Sequence, residues 1–445
     1  MLRPFLLLAL ALLTGVASAQ DPAYRYETGT YAITNARIVT VTNGIIENGT
    51  VVIRDGAIEA VGADVTAPSD ATVLNAEGKA VYPGMIDAGA SIGLTEINAV
   101  AVTVDTQEIG DVVPQMEALT AINPSSTHFP VTRVEGVTHA LTMPQGGLFP
   151  GTAALIHFVG YTPDQMFAGS RAIVLNFPRS GRRGRFDRRT DEAIKKATDE
   201  AMKKLNEVWD EATAYARIDS ARTARGSSDP MPYQPEAAAM LPVVRGEMPL
   251  LVEANSASDI RAAMEWIEEK GVRAILTGVS EGWRLADEIA EAGLPVVTGP
   301  VTGLPTRGSD RYSRAYENAA LLHAAGVTVA LRTREAENVR NLPFQAGFAA
   351  AYGRPLGFTK EDALAAVTIV PARILGVEDQ VGSIEVGKRA SLFVADGDPF
   401  EPATQITHLF IEGIRVPIDS RHIRLYEEYL NRNPMLDLLG GGHSH

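Results

Sequence analysis

Residues 249–300 read PLLVEANSASDIRAAMEWIEEKGVRAILTGVSEGWRLADEIAEAGLPVVTGP. Three short apolar runs (PLLVEAN, RAILTGVS and LPVVTGP) alternate here with two stretches of helical spacing. The runs are too short for helices and carry Val and Ile, so they read as buried strands. Ser258 is placed to cap the first helix and Gly271 to end it, and Ser280 and Gly293 bracket the second. Strand, helix and strand in this order imply parallel strands joined by helical crossovers. Working outward, VTVALRT continues the pattern downstream, and AVYPGMIDA, GVTHALTMP, TAALIHFVG and RAIVLNFP precede it. Eight such runs predict an α/β fold, a (β/α)8 TIM-type barrel of parallel strands over residues 81–377.

The flanks have a different texture. From Tyr31 to Val81 the chain alternates in short strands punctuated by Asn43-Gly44, Asn48-Gly49 and Asp55-Gly56, all hairpin signals. GSIEVGKRASLFVADGDP and ITHLFIEGIRV repeat that texture near the other end. Residues 20–80 and 378–421 are therefore expected to form one small discontinuous β-sandwich domain. An insertion over about residues 178–242 interrupts the barrel: an arginine-rich loop, then Ile194, Ala197, Ala201, Leu205, Val208, Ala212 and Tyr215 at helical spacing. Acid-before-base pairs four apart, such as Asp191–Lys195 and Glu200–Lys204, favour that helix. Residues 422–445 read as a last helix and a flexible tail ending GGGHSH.

Bulk properties narrow the function. Apolar residues make up 45% and charged residues 21% of the 445, as in an ordinary globular protein. The formal charge of −14 argues against nucleic acid as a partner. Arg3, the apolar run Phe5–Leu13 and Ala17-Ser18-Ala19 read as a cleaved secretory signal over residues 1–19, too short to span a bilayer. A periplasmic or secreted chain starting near Gln20 is expected, with no membrane span. Zero Cys suits an oxidising compartment and removes thiolate chemistry and Cys-ligated zinc.

The opening I-x-N-A-x-I, VVIRDGAIEAVG, YPGMID, PLLVEANSASDI, LPVVTGP, TIVPARILG and GSIEVGKRASLFV, in this order from Tyr31 to Arg421, resemble the amidohydrolase superfamily. The likeness is nearest its imidazolonepropionase-like and prolidase-like exported members. It implies metal-assisted hydrolysis of non-peptide or dipeptide C–N bonds, with zinc or another divalent ion held at the C-terminal ends of the strands. By that resemblance the ligand places hold Gly89, Ser91, Asn176, Glu253, Thr277 and Arg334, none a histidine. Glycine offers no ligand atom and arginine repels a cation, so no metal site and no cofactor are expected.

These six residues are instead expected to line a binding site. Glu253 and Arg334 are expected to pair across it, an ion pair standing where the resemblance puts the ion. His157, near the end of its strand, is the other candidate for the mouth, and Glu253, His157 and Arg334 are the catalytic candidates. His139 and His128 are more simply read as buried and hydrogen-bonded. Arg179, Arg182, Arg183, Arg185, Arg188 and Arg189 form a basic run, and Gly146-Gly147 a loop near the mouth. The expected function is a pseudoenzyme that binds a small amide or peptide-like ligand, or a partner. That partner would be a second copy or a paralogous amidohydrolase subunit. The alternatives are an active hydrolase, with a metal site rebuilt around His157 or metal-free acid–base work by Glu253, and an envelope interaction protein using the insertion.

Overall fold

The computed structural model describes residues 22–182, 187–226 and 230–432. The signal-like segment 1–19, Arg183, Arg185 and the GGGHSH tail lie outside the described residues.

Strands β1 (Tyr31–Val39), β2 (Ile45–Arg54), β3 (Ala57–Gly62), β4 (Thr72–Asn75) and β5 (Ala80–Pro83) come first. Barrel strands follow: β6 (Met85–Ala90), β7 (Val137–Thr142), β8 (Gly151–His157), β9 (Phe167–Asn176), β10 (Leu250–Ala254), β11 (Ala274–Gly278), β12 (Val296–Thr298) and β13 (Val329–Leu331). The chain then returns through β14 (Leu392–Ala395), β15 (Ile406–Ile411) and β16 (Ile414–Val416). Both chain ends share one sheet, ordered β16-β15-β14-β5-β1-β2-β3 with β4 beside β1. Its seam is the antiparallel pair β14–β5, which joins Leu392 to Pro83 and Ala395 to Ala80.

The second sheet runs β13-β12-β11-β10-β9-β8-β7-β6 and curls into a nearly closed barrel. One expectation fails here. β8 is antiparallel to both β7 and β9. The cause is link length: residues 143–150 between β7 and β8 are too few for a parallel crossover, which takes about a dozen residues or more. Gly146 and Gly147 take positive φ in this link, 81° and 55°. The barrel closes without a strand-to-strand ladder. Asp87, fully buried in β6, accepts from the Thr333 backbone N–H and hydroxyl just past β13, and the Arg334 N–H reaches the Gly89 carbonyl at 3.0 Å. Burial pushes the Asp87 carboxyl up to about 6, with the Thr333 hydroxyl and the Gly89 and Thr333 N–H groups pulling the other way.

Strand alternation sorts the side chains. Ile86, Leu141, Leu155, Val174, Leu251, Ile275, Val297 and Ala330 meet inside the barrel. Ala372, Leu375 and Val381 pack into the same cluster from the segment after residue 368. The neighbouring strand positions pack outward against the helices. The insertion forms a helix over Asp191–Ala224, capped by the Thr190 hydroxyl. Its buried Trp209 meets Trp266 edge to face at 5.5 Å, and Trp266 Nε1 donates to Asn206. The lysines of this helix pair forward rather than back: Lys195 with Asp199 and Lys203 with Glu207, while Lys204 crosses to Asp111 at 2.7 Å. Each lysine has acids on both sides along the sequence, so spacing alone could not choose. The next barrel helix, Ala257–Lys270, is capped by Ser256, not Ser258, and ends at left-handed Gly271. Ser280 caps no helix either: the helix Ala286–Glu291 follows a short 3-10 turn.

Candidate active site

The inward phase that fills the barrel with Leu251, Ile275, Val174 and Ala330 continues one step further at the C-terminal strand ends. That step delivers Glu253, Thr277, Asn176 and Arg332. Arg332 is 4% exposed and sets its guanidinium 2.8 Å from Glu253 Oε2, with a second bond to Oε1 at 2.9 Å. Thr277 Oγ1 donates to Oε2 at 2.8 Å and Asn255 Nδ2 to Oε1 at 3.0 Å. Three of the carboxylate's roughly four lone-pair sites thus accept hydrogen bonds, two on Oε1 and one on Oε2, with the guanidinium in ion-pair contact with both oxygens. Burial raises the Glu253 pKa, but the Arg332 charge and these bonds outweigh it and hold the carboxyl at about 2.

The expected Glu253–Arg334 pair is therefore corrected: the partner is Arg332, two residues earlier. Arg332 keeps the strand phase and points inward. Arg334 takes φ 74°, which turns the chain out of that phase and leaves its side chain exposed. Gly89 has no room for a side chain: a Cβ there would lie 2.7 Å from Met143 Sδ and 3.2 Å from Arg332 Cδ. Ser91 is buried in the turn after β6 and is not among the cleft residues. Thr277 is fully buried beneath Glu253. Asn176 gives both N–H groups to the Gly146 and Gly147 carbonyls, at 2.9 and 2.8 Å, and so ties the glycine loop to the mouth.

His157 is misplaced by the expectation. Because β8 runs backwards, its last residue lies at the barrel end opposite the mouth, paired with His139 in register. Their rings sit edge to face at 6.1 Å, and His139 Nε2 is 3.8 Å from Glu412 in the turn between β15 and β16. Burial pushes the His157 pKa down to about 4, against the pull of Glu412. His128 Nε2 donates to the Glu96 carbonyl, 3.1 Å away, from the start of the short helix His128–Arg133.

The mouth opens into a cleft of about 510 Å³ lined by Gly89, Met143, Asn176, Glu253, Arg332 and Arg334, among others. A second cleft of about 410 Å³ shares Asn176, Arg179, Glu253, Asn255 and Asp259 with it. The insertion helix walls that second cleft with Ala197, Thr198, Ala201 and Lys204. The residues do not fit the divalent ion that the resemblance implies. The centre of the mouth holds a guanidinium, and its one central carboxylate is already ion-paired to it and accepts three hydrogen bonds. Among the described residues no group of three His, Cys, Asp or Glu is arranged to hold a metal. Arg332, Asn255 and Met143 went unread in the sequence. Two-residue alternation from Ala330 was the signal for Arg332.

Residues 245–416 match the model of the amidohydrolase family. The amidohydrolase tasK of Hapsidospora irregularis is 22% identical over 392 residues, 82% of this chain and 39% of the relative. A 5-methylthioadenosine/S-adenosylhomocysteine deaminase of Symbiobacterium thermophilum is 46% identical over 46 residues, 10% of this chain and 11% of that one. The chain thus spans about two fifths of the first relative and about a tenth of the second. Among solved structures, an amidohydrolase from Thermotoga maritima MSB8 superposes with a TM-score of 0.75 at 24% identity, over 87% of this chain and 99% of that one. Molinate hydrolase gives 0.53 at 17% identity, over 88% and 95%. A prolidase solved with N-methylphosphonate-L-proline gives 0.51 at 17%, over 87% and 99%. The family match lies on the second half of the barrel and its return into the other sheet, and the barrel is the fold of these solved relatives: residues 245–416 match the amidohydrolase family, and the whole chain shares the fold of these solved amidohydrolases.

Proposed function

We propose that this chain is a binding member of the amidohydrolase superfamily, in which an ion pair has taken the place of the catalytic ion and the barrel mouth holds a small amide or peptide-like ligand without hydrolysing it. One observation carries the reading: Arg332 fills the centre of the mouth and is ion-paired with Glu253. A fixed positive charge at that point repels a divalent ion. A carboxylate held at about 2 by a guanidinium and three hydrogen bonds is also a poor general base near neutral pH. That removes the support for metal-free acid–base work by Glu253. His157 gives none for a rebuilt centre, since it faces the opposite end of the barrel. The ligand class is inferred from the prolidase relative, which was solved with a peptide-like phosphonate. Export through residues 1–19 belongs to the same proposal, and mass spectrometry of the mature N-terminus tests it.

The central test is metal content and turnover together. The purified chain, with the GGGHSH tail removed and dialysed against a weak chelator, is expected to retain only traces of zinc, manganese or iron. It is expected to bind N-acetyl dipeptides in calorimetry and to leave them intact by mass spectrometry. Near-stoichiometric metal, or metal-dependent cleavage, overturns the reading.

A further inference from the structure

We propose that Arg334 and Arg179 form an oxyanion subsite at the rim of the mouth and take a carboxylate of the bound ligand. This rests on the ligand-binding reading above and adds the charge of the ligand to it.

The lining of the cleft brings four guanidiniums, Arg179, Arg182, Arg332 and Arg334, and two carboxylates, Glu253 and Asp259. Arg332 is spent on Glu253. Asp259 keeps its charge, held by the N–H and hydroxyl of Ser180, which both donate to it. Arg182 turns away to Asp191 and to the Asp187 and Arg189 carbonyls. Arg179 and Arg334 are left, both exposed, and neither side chain has an ion pair or hydrogen bond among the described residues. With Arg332 paired to Glu253 and Arg182 to Asp191, Arg179 and Arg334 face the single charge of Asp259, so in a chain of net charge −14 the cleft keeps a surplus cation, a local reversal of sign. Such a reversal concentrates anions at the site.

The backbone at Arg334 is the second observation. A φ of 74° is the left-handed region, which a residue with a side chain adopts only against steric crowding of its Cβ. Glycine would adopt it freely, and the backbone role at this position, an N–H to the Gly89 carbonyl, needs no side chain. What arginine adds is a guanidinium over the cleft, with a planar fork that matches a carboxylate. Asn176 supplies the complement. With both its N–H groups given to Gly146 and Gly147, its Oδ1 is left to accept from a ligand N–H. An amide-bearing carboxylate meets both requirements, and a neutral amide meets one.

The test is calorimetry on the full chain with three probes: N-acetyl-L-alanyl-L-alanine, its C-terminal carboxamide, and inorganic phosphate. The free acid is expected to bind about tenfold or more tightly than the carboxamide, the span of a charge-assisted hydrogen bond. In an Arg179→Gln/Arg334→Asn double variant the acid should fall to the level of the carboxamide. Asparagine tolerates the left-handed backbone, and both side chains are exposed, so the variant should keep the wild-type circular dichroism and melting temperature. Equal binding of acid and carboxamide to the wild type overturns the subsite and leaves the binding reading standing. A tighter acid whose advantage survives the double substitution overturns the assignment to these two arginines. Binding of phosphate alone overturns both the carboxylate and the amide ligand, and silence from all three probes overturns the subsite together with the reading beneath it.

Discussion

Arg332→Met would leave the Glu253 carboxylate at the head of the barrel with two neutral donors, Asn255 and Thr277, and no cation against it. Removing one partner of a buried ion pair costs about 3–5 kcal/mol, because the remaining charge stays desolvated. The Glu253 side chain is 20% exposed and keeps two hydrogen bonds, so the low end, about 3 kcal/mol, is expected at pH 7. At roughly 1 °C per kcal/mol for a chain of this length, this is a drop of about 3–4 °C in melting temperature. The sign with pH follows from the carboxyl. In the wild type its folded pKa is depressed, so its contribution is complete above the ordinary 4.5 and is lost as pH falls toward about 2. In the variant, burial acts without the guanidinium and raises the pKa, so protonation relieves the lone charge and the deficit shrinks as pH falls. Glu253→Met/Arg332→Met removes both charges and should recover to within about 1 kcal/mol of wild type. The assay is thermal melting across pH 4–8 for the three proteins. A single variant that melts with the wild type at pH 7, or a double variant as unstable as the single, refutes the assignment of this pair as the closed centre of the mouth.

Asp87→Ala should cost about 3 kcal/mol or more in chemical denaturation, since it strands the Gly89 N–H and both Thr333 donors at the barrel seam. Asp87 and His157 should oppose each other in pH dependence. The raised Asp87 pKa gives stability that is present below about 3.8 and lost as pH rises through about 6. The lowered His157 pKa gives stability that is present above 6.5 and lost as pH falls to about 4. Each is worth roughly 3 kcal/mol at 1.4 kcal/mol per pH unit, so the wild-type melting profile between pH 4 and 6 should be nearly flat, and His157→Leu should make the protein more stable toward acid. Arg133→Met should free the segment around Ala23, because the fully buried guanidinium donates to the Ala23 and Phe158 carbonyls and to the Tyr26 hydroxyl. Limited proteolysis would then cut there first, with a loss of about 3 kcal/mol or more.

How far the sequence reaches is clearest at individual residues. The eight barrel strands were readable because Val, Ile and Leu runs of strand length stand between turn residues, and a nearly closed eight-strand sheet is what forms. The reversal of β8 was also readable, in the eight residues 143–150, had link length been weighed against the apolar pattern. Misreading it carried His157 to the wrong end of the barrel. Glu253 was named from a family position, but its partner depended on a left-handed residue at 334, which sequence does not announce when the residue is arginine. The helix cap between Ser256 and Ser258 turned on which serine keeps an extended backbone, and that is decided by the strand before it.

The hairpin-linked strands also bear on the order in which the barrel assembles. β7, β8 and β9 form an antiparallel meander within residues 137–176, whose pairings close short loops at small entropic cost. The seam joins Asp87 to Thr333, 246 residues apart. Ladders of low sequence separation form fastest, so the meander is the natural nucleus and the seam the last closure. Pulsed hydrogen exchange during refolding should find the amides of Leu141 and Leu155 protected before those of Gly89 and Thr333. Until that final closure, Arg332 and Glu253 stay hydrated, and the mouth acquires its charge pattern only when the chain is otherwise folded.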